Sequence, residues 1–320
     1  MLRAYQLMCT ERAMADVYDE NRSTAHYVHS TSRGHEAIQL ATAFHLQPQD
    51  YVSPYYRDDS ILLGLGLTPY EVMLQLLAKR DAPFTGGRSY YSHPNLKREG
   101  FPTIPHQTSA TGMQAIPTTG IAQGVQYLEK RGLLENGQQP VVICSLGDGS
   151  ITEGEVSEAF QEAVLHQLPI LYLIQDNQWG ISVSDEEMAA MTPYEFASGF
   201  KGLKRSQVDG SDFSASYDSV RKSINYVRKN RKPMFLHATC PLLGHHTSGV
   251  RREYYRDEAD WNAHHQEDPI PVLERQLREK GITDEHLYGI DQEARQHAEQ
   301  AFQQAAAAPD QDPSTLRDHA

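Results

Sequence analysis

Two short apolar runs constrain this chain more than anything else in it. Pro140-Val-Val-Ile-Cys-Ser-Leu146 is entered by a proline and ended by Gly147, and the run from Ile170 to Gln175 is opened by Pro169. Proline is tolerated at a strand's start, and an apolar run without alternation reads as a strand buried on both faces. Between the two, Glu153 to His166 places Val156, Ala159, Phe160, Ala163 and Val164 at helical spacing. Strand, helix and second buried strand make the repeating unit of a parallel sheet, because parallel neighbours need a crossover connection. A strand at Arg205 to Val208, a helix over Phe213 to Arg228 and a strand at Pro233 to Thr239 continue the alternation. The economical fold is therefore α/β, a doubly wound parallel sheet with flanking helices.

Around this core the pattern is helical. Helices are expected over Met1 to Glu20, Glu36 to Leu46 and Met113 to Lys130, with a further start at Thr68-Pro69. After Trp261 two more follow, Pro269 to Glu279 and Asp284 to Ala307. The chain reads as a single domain over 1–307: a helical portion 1–135, an α/β core 136–240, and a loop with carboxy-terminal helices over 241–307. A loose polar tail, 308–320, completes it.

Composition removes several function classes. A formal charge of −13 argues against nucleic acid, which is bound through clustered Lys and Arg; the basic stretch Arg221 to Lys232 stands alone and reads as a solvated helix face. Cys9, Cys144 and Cys240 are far apart and odd in number, which suits neither a disulfide framework nor a paired-cysteine zinc site, so a reducing cytoplasm is the expectation. Charge returns at Glu11 and Arg12, too early for a signal-peptide apolar region, and nowhere do eighteen apolar residues run together, so no membrane role is expected.

The first motif with chemistry is Gly147-Asp148-Gly149-Ser150, at the end of a buried strand, where ligands bind in open α/β sheets. Its glycines allow close approach to a diphosphate, the helix expected next offers free N–H groups, and Asp148 can hold a hard cation. A bare Gly-Asp-Gly is often only a turn. The second motif, Asp176-Asn177-Gln178-Trp179-Gly180-Ile181-Ser182, follows the next strand and returns to the same sheet edge. The Asp148 carboxylate, the Asn177 amide oxygen and the Trp179 main-chain carbonyl would give Mg²⁺ three protein ligands, leaving the rest of its octahedron to diphosphate and water. The plainer alternative is a loop in which Asp176 and Asn177 merely cap backbone groups. His245 and His246 are adjacent rather than four apart on a helix, and no His-Glu-x-x-His occurs, so zinc is not expected; His264-His265 reads as surface polarity. Gly64-Leu-Gly66 lacks the third glycine and preceding strand of a dinucleotide fingerprint.

The two motifs together resemble the thiamine-diphosphate signature, Gly-Asp-Gly followed roughly thirty residues later by a metal-binding Asn. From Met1 to about Ala307 the chain resembles the α subunit of the decarboxylating component of 2-oxo acid dehydrogenases, nearest to the branched-chain type. The matching stretches are Gly34-His-Glu-Ala37, Tyr56-Arg57, Gly87-Arg88 with His93, Ser109-Ala-Thr-Gly-Met-Gln114, and Gly244-His245-His246-Thr247-Ser248 followed by Tyr255-Arg256. The resemblance implies a thiamine-diphosphate-binding fold and oxidative decarboxylation of a 2-oxo acid with acyl transfer to a lipoyl domain. It places Tyr56 and Arg57 on the diphosphate, with Gly147, Gly149 and Ser150, and Ser109 and Thr111 beside the cofactor's rings. Asp148, Asn177 and the Trp179 carbonyl fall on Mg²⁺, and His246 on the active-site histidine. It further implies a β subunit, in an α₂β₂ tetramer, that supplies the glutamate activating the cofactor.

Three positions depart from the family's pattern. Gln175 stands where an arginine usually touches the diphosphate, Met113 where a hydroxyl helps bind K⁺ near Thr108, Ala110 and Gln114, and Tyr55 where a glutamine is common. Thr247 or Ser248 lies where some relatives are phosphorylated, but no regulation is expected from the sequence. The rival classes are a different thiamine enzyme, such as a pyruvate or acetoin dehydrogenase α subunit or half of a split transketolase, and a catalytically inactive assembly or binding module.

Overall fold

The computed structural model describes every residue except His106, Asn136, Leu316 and 318–320. The chain begins with α1 (Leu2–Glu20), α2 (Glu36–Ala43), the short strand β1 (Tyr51–Ser53), α3 (Asp59–Leu65) and α4 (Pro69–Leu76). Thr68 caps α4 reciprocally with Glu71, and Pro69 occupies the first turn, as the Thr-Pro start implies. Next come α5 (Ala115–Lys130), β2 (Val142–Gly147), α6 (Gly154–His166) and β3 (Ile170–Asp176). The two-residue strands β4 (Trp179–Gly180) and β5 (Val183–Ser184) form a hairpin, followed by the single turns α7 (Asp185–Met188) and α8 (Pro193–Phe196). Then β6 (Lys204–Asp209), α9 (Phe213–Asn230) and β7 (Met234–Thr239) finish the sheet, and α10 (Glu258–Gln266), α11 (Pro269–Glu279) and α12 (Asp284–Ala307) pack outside it.

The five main strands lie in the order β1-β2-β3-β7-β6, all parallel. Because β2 and β3 are buried at every position, their residues divide between two cores with period two. Ile143, Leu171, Leu173 and Leu236 face the core built with α1, α2, α9 and α12. Val142, Cys144, Leu146, Tyr172, Ile174 and Phe235 face the core built with α5 and α6. Phe160 centres the second core, its ring 4.6 Å from Tyr172 and 5.4 Å from Phe200.

The strands expected from the sequence are present within a residue or two. The elements not expected are β1, α3, the β4–β5 hairpin, the single turns α7 and α8, and α10. β1 owes its strand conformation to pairing with Val142–Cys144 rather than to any pattern of its own. Only His264 of α10 is buried, so no apolar stripe announces that helix.

The basic stretch Arg221 to Lys232 is not simply solvated. Arg228 makes a two-pronged contact with the fully buried Asp50, at 2.9 and 2.7 Å, and Asp50 also accepts from the main-chain N–H groups of Val141 and Gln47. Arg231 donates to Glu129 and to the Pro140 carbonyl. Arg228 therefore ties α9 to the loop before β1 and to the entrance of β2. Arg228→Leu should destabilise the fold by about 3–5 kcal/mol in urea denaturation, because it strands a buried carboxylate. A loss under about 1 kcal/mol would mean that solvent reaches Asp50.

The three cysteines are free and buried. Among the described residues no helix is long and apolar enough to cross a membrane. Beyond α12 the chain runs back over residues 79–88, where Asp310 accepts from Lys79 and Thr315 from Arg88.

Candidate functional site

Parallel pairing of β2 with β3 sets Gly147 opposite Gln175, so Asp148 and Asp176 leave the sheet side by side at its carboxyl edge. Asp148 opens on a cavity of about 540 Å³ whose wall also carries Tyr55 and Tyr56 from the loop after β1, Ser109 and Thr111 from the approach to α5, Trp179 from the hairpin, and His246 from the segment after β7. The structure thus gathers residues from five separate stretches of chain at one sheet edge. Gly147, Gly149, Ser150 and Asn177 line the same cavity. Arg57 does not: it lies fully buried behind Tyr55, donating to the Tyr55 hydroxyl (3.2 Å) and to the carbonyls of His246 (3.1 Å) and Thr31 (3.4 Å). The helix expected over Glu153 to His166 is present within one residue as α6. Gly149–Thr152 forms a 3-10 turn and α6 starts only at Gly154, so the turn's amides, not a helix end, front the cavity.

The site's electrostatics ask for a cation. Asp148 Oδ1 accepts from the Gly149 N–H at 2.9 Å, while Oδ2 is buried with no partner. Burial first, and then the neighbouring charge of Asp176, push the Asp148 carboxyl well above the usual carboxylate range. Asp176 accepts from His237 Nε2 (2.7 Å) and from the Gln178 N–H (3.1 Å), and the Gln207 amide donates to His237 Nδ1 (3.1 Å). Asp176 is thereby fixed from behind, whereas Asp148 has an oxygen to spare. Beside it, Asn177 Oδ1 accepts from the Trp179 N–H at 3.1 Å. Among the described residues no group of three His, Cys, Asp or Glu side chains gathers as a metal site. An ion here would have to take amide, carbonyl and ligand oxygens, which suits a hard cation such as Mg²⁺ and not zinc.

His246 is almost fully buried; its Nε2 lies 3.1 Å from the Tyr56 hydroxyl and its Nδ1 has no partner. Burial, followed by the charge of Arg57, holds its pKa well below the usual histidine value, so the ring is neutral at pH 7. His245 turns elsewhere and accepts from the Arg252 N–H (3.1 Å). The surface reading of His264-His265 fails for His264, which is buried and accepts from the Leu242 N–H at 2.8 Å. Sequence reasoning also missed the network behind the cavity. Gln175 is fully buried among His35, Gln39, Asp58 and Ser145, and the other ring nitrogen of His35 meets Asn177. The signals in the sequence were the Gly34-His-Glu-Ala37 stretch and the departure from the family's pattern at Gln175.

Residues 5–314 match the family described as dehydrogenase E1 component. The chain is 27% identical over 257 residues to the 2-oxoisovalerate dehydrogenase subunit alpha of Bacillus subtilis, covering 80% of this chain and 74% of that one. It is likewise 27% identical to pyruvate dehydrogenase E1 component subunits alpha of Rickettsia bellii, with 86% and 81% covered, and of Rhizobium meliloti, with 88% and 78%.

Proposed function

We propose, from the premise that this chain belongs to the dehydrogenase E1 component family, that it is the α subunit of a 2-oxo acid dehydrogenase and holds thiamine diphosphate with Mg²⁺. The observation that carries this reading is the buried, unpartnered Oδ2 of Asp148, placed with Asp176 and Asn177 at the heads of adjacent parallel strands. Asp148, the Asn177 amide oxygen and the Trp179 carbonyl would hold the cation. The amides of Gly149 and Ser150 would meet the diphosphate, and Ser109 and Thr111 the cofactor's rings. Bound thiamine diphosphate would supply the electron sink that lets a 2-oxo acid lose carbon dioxide. Neutral His246 can take or give a proton at the cavity wall, with Tyr56 fixing its ring through Nε2. Arg57, behind the wall, supports His246 through its carbonyl and contributes positive charge to the floor of the site.

The proposed reaction is oxidative decarboxylation with acyl transfer to a lipoyl domain. A β subunit supplies the activating glutamate, in an α₂β₂ assembly placed in the cytoplasm. Relatives named for 2-oxoisovalerate and for pyruvate match at the same identity. We place branched-chain substrates first because Val28, Tyr90, Ile181 and Val183 give the cavity an apolar rim, which favours an aliphatic side chain. Assayed with a β subunit, the chain should turn over 3-methyl-2-oxobutanoate with a higher kcat/KM than pyruvate. A preference for pyruvate would move the assignment to that substrate. Alone, the chain should show no turnover, and decarboxylation at an ordinary enzymatic rate without a partner would contradict the two-subunit reading.

A further inference from the structure

We propose that His35 is a positioning residue, which holds the Asn177 amide so that its oxygen rather than its nitrogen is available to the cation, with Gln175 as the group that sets the ring's tautomer. The inference rests on the cofactor reading above and adds a role for a side chain that never reaches the cavity.

The assignment follows from a chain of donors and acceptors that has only one consistent solution. The main-chain carbonyl of Arg57 can only accept, so the Gln39 atom 3.1 Å from it is the amide nitrogen. That same nitrogen lies 2.8 Å from Gln175, whose facing atom must then be Oε1. Gln175 Nε2 consequently points the other way, donating to Asp58 Oδ1 (2.7 Å) and Ser145 Oγ (2.8 Å). His35 Nδ1 lies 2.9 Å from Gln175 Oε1, so Nδ1 carries the ring proton. In a neutral imidazole Nε2 is then an acceptor, and the Asn177 atom 3.1 Å away must be the amide nitrogen. Asn177 Oδ1 is left on the opposite side, where it meets the Trp179 N–H.

The other tautomer would invert the last link. With the proton on Nε2, His35 would draw the amide oxygen toward itself and leave an NH₂ group facing the cation site, where it repels a metal ion. Gln175 thus acts as an acceptor for a ring and not as a cavity residue. His35, Gln39, Gln175 and Asn177 are all at most 1% exposed, so no bulk water competes to reset the order.

The test compares wild type, His35→Gln, His35→Leu and Asp148→Ala, each full chain assembled with its β subunit. Mn²⁺ is titrated by electron paramagnetic resonance in the presence of thiamine diphosphate. Glutamine can still present an acceptor to Asn177; leucine cannot. Groups that orient metal ligands typically matter by 10- to 100-fold in affinity, so His35→Leu should bind Mn²⁺ about tenfold more weakly or worse. His35→Gln should stay within about threefold of wild type, with similar thermal midpoints in both variants. Nitrogen-15 spectra of the unliganded chain should place the His35 proton on Nδ1. Wild-type affinity in His35→Leu, equal weakening in both His35 variants, or a proton on Nε2 would each overturn the positioning role while leaving the cofactor reading intact. Failure of wild type to bind Mn²⁺, or binding unaffected by Asp148→Ala, would remove the cofactor reading, and this inference with it.

Discussion

Asp148→Ala should lower the affinity for Mg²⁺ with thiamine diphosphate by more than a hundredfold, and should do so without unfolding the chain. Perturbing residues behind a metal ligand already costs about 10- to 100-fold, and among the described residues Asp148 is the one carboxylate at this edge with an unused buried oxygen. Its neighbour Asp176 is committed to His237 and cannot substitute without giving up that contact. In the unliganded chain the same carboxylate is a burden, since it is desolvated beside another acid. The thermal midpoint of apo Asp148→Ala at neutral pH should therefore equal or exceed that of wild type. A clear fall in the apo midpoint would mean that Asp148 serves the fold, not a ligand.

Gly34→Ala should have the opposite character and prevent folding. Gly34 sits at φ +95°, where an L side chain is strained, and a Cβ there would lie 1.8 Å from the carbonyl oxygen of Pro241. The obstacle is backbone from the segment that follows β7, so no side-chain rotation relieves it. The contact is also central to the site, because the segment after Pro241 carries His246 and the residue after Gly34 is His35. Strain of about 1–3 kcal/mol from the left-handed conformation alone, added to the clash, should take the loss beyond about 4 kcal/mol, within the range reserved for severe lesions. Soluble yield and urea unfolding would measure it. A stable, soluble Gly34→Ala protein would mean that the two segments are not held together as described.

What could be read from the sequence follows from where the determining forces lie. The strands β2 and β3 were legible because both their faces are buried, which makes the apolar run continuous and unmistakable. Asp148 and Asn177 were legible for the same reason: once those strands are parallel neighbours, the residues after them must share an edge. β1 was not legible, because three residues carry no period and depend on β2 for their partner. The salt bridge between Arg228 and Asp50 joins positions 178 residues apart, and local charge density there reads as solvent exposure. His35 and Asn177 lie 142 residues apart, and what joins them is the orientation of hydrogen-bond donors, which leaves no imprint on composition or spacing. The start of α6 was legible to within a residue, but the 3-10 turn at Gly149–Thr152 before it was not, because propensity distinguishes such a turn poorly from a helix's first turn.

The central claim, that this chain carries the diphosphate and metal half of a thiamine enzyme, is tested most directly by calorimetric titration of thiamine diphosphate with Mg²⁺ into wild-type chain mixed with a candidate β subunit. Saturable binding that disappears when Mg²⁺ is withheld is the expected result. No heat of binding with the partner assembled and Mg²⁺ present would contradict the claim and leave a family member that has kept the fold without the cofactor.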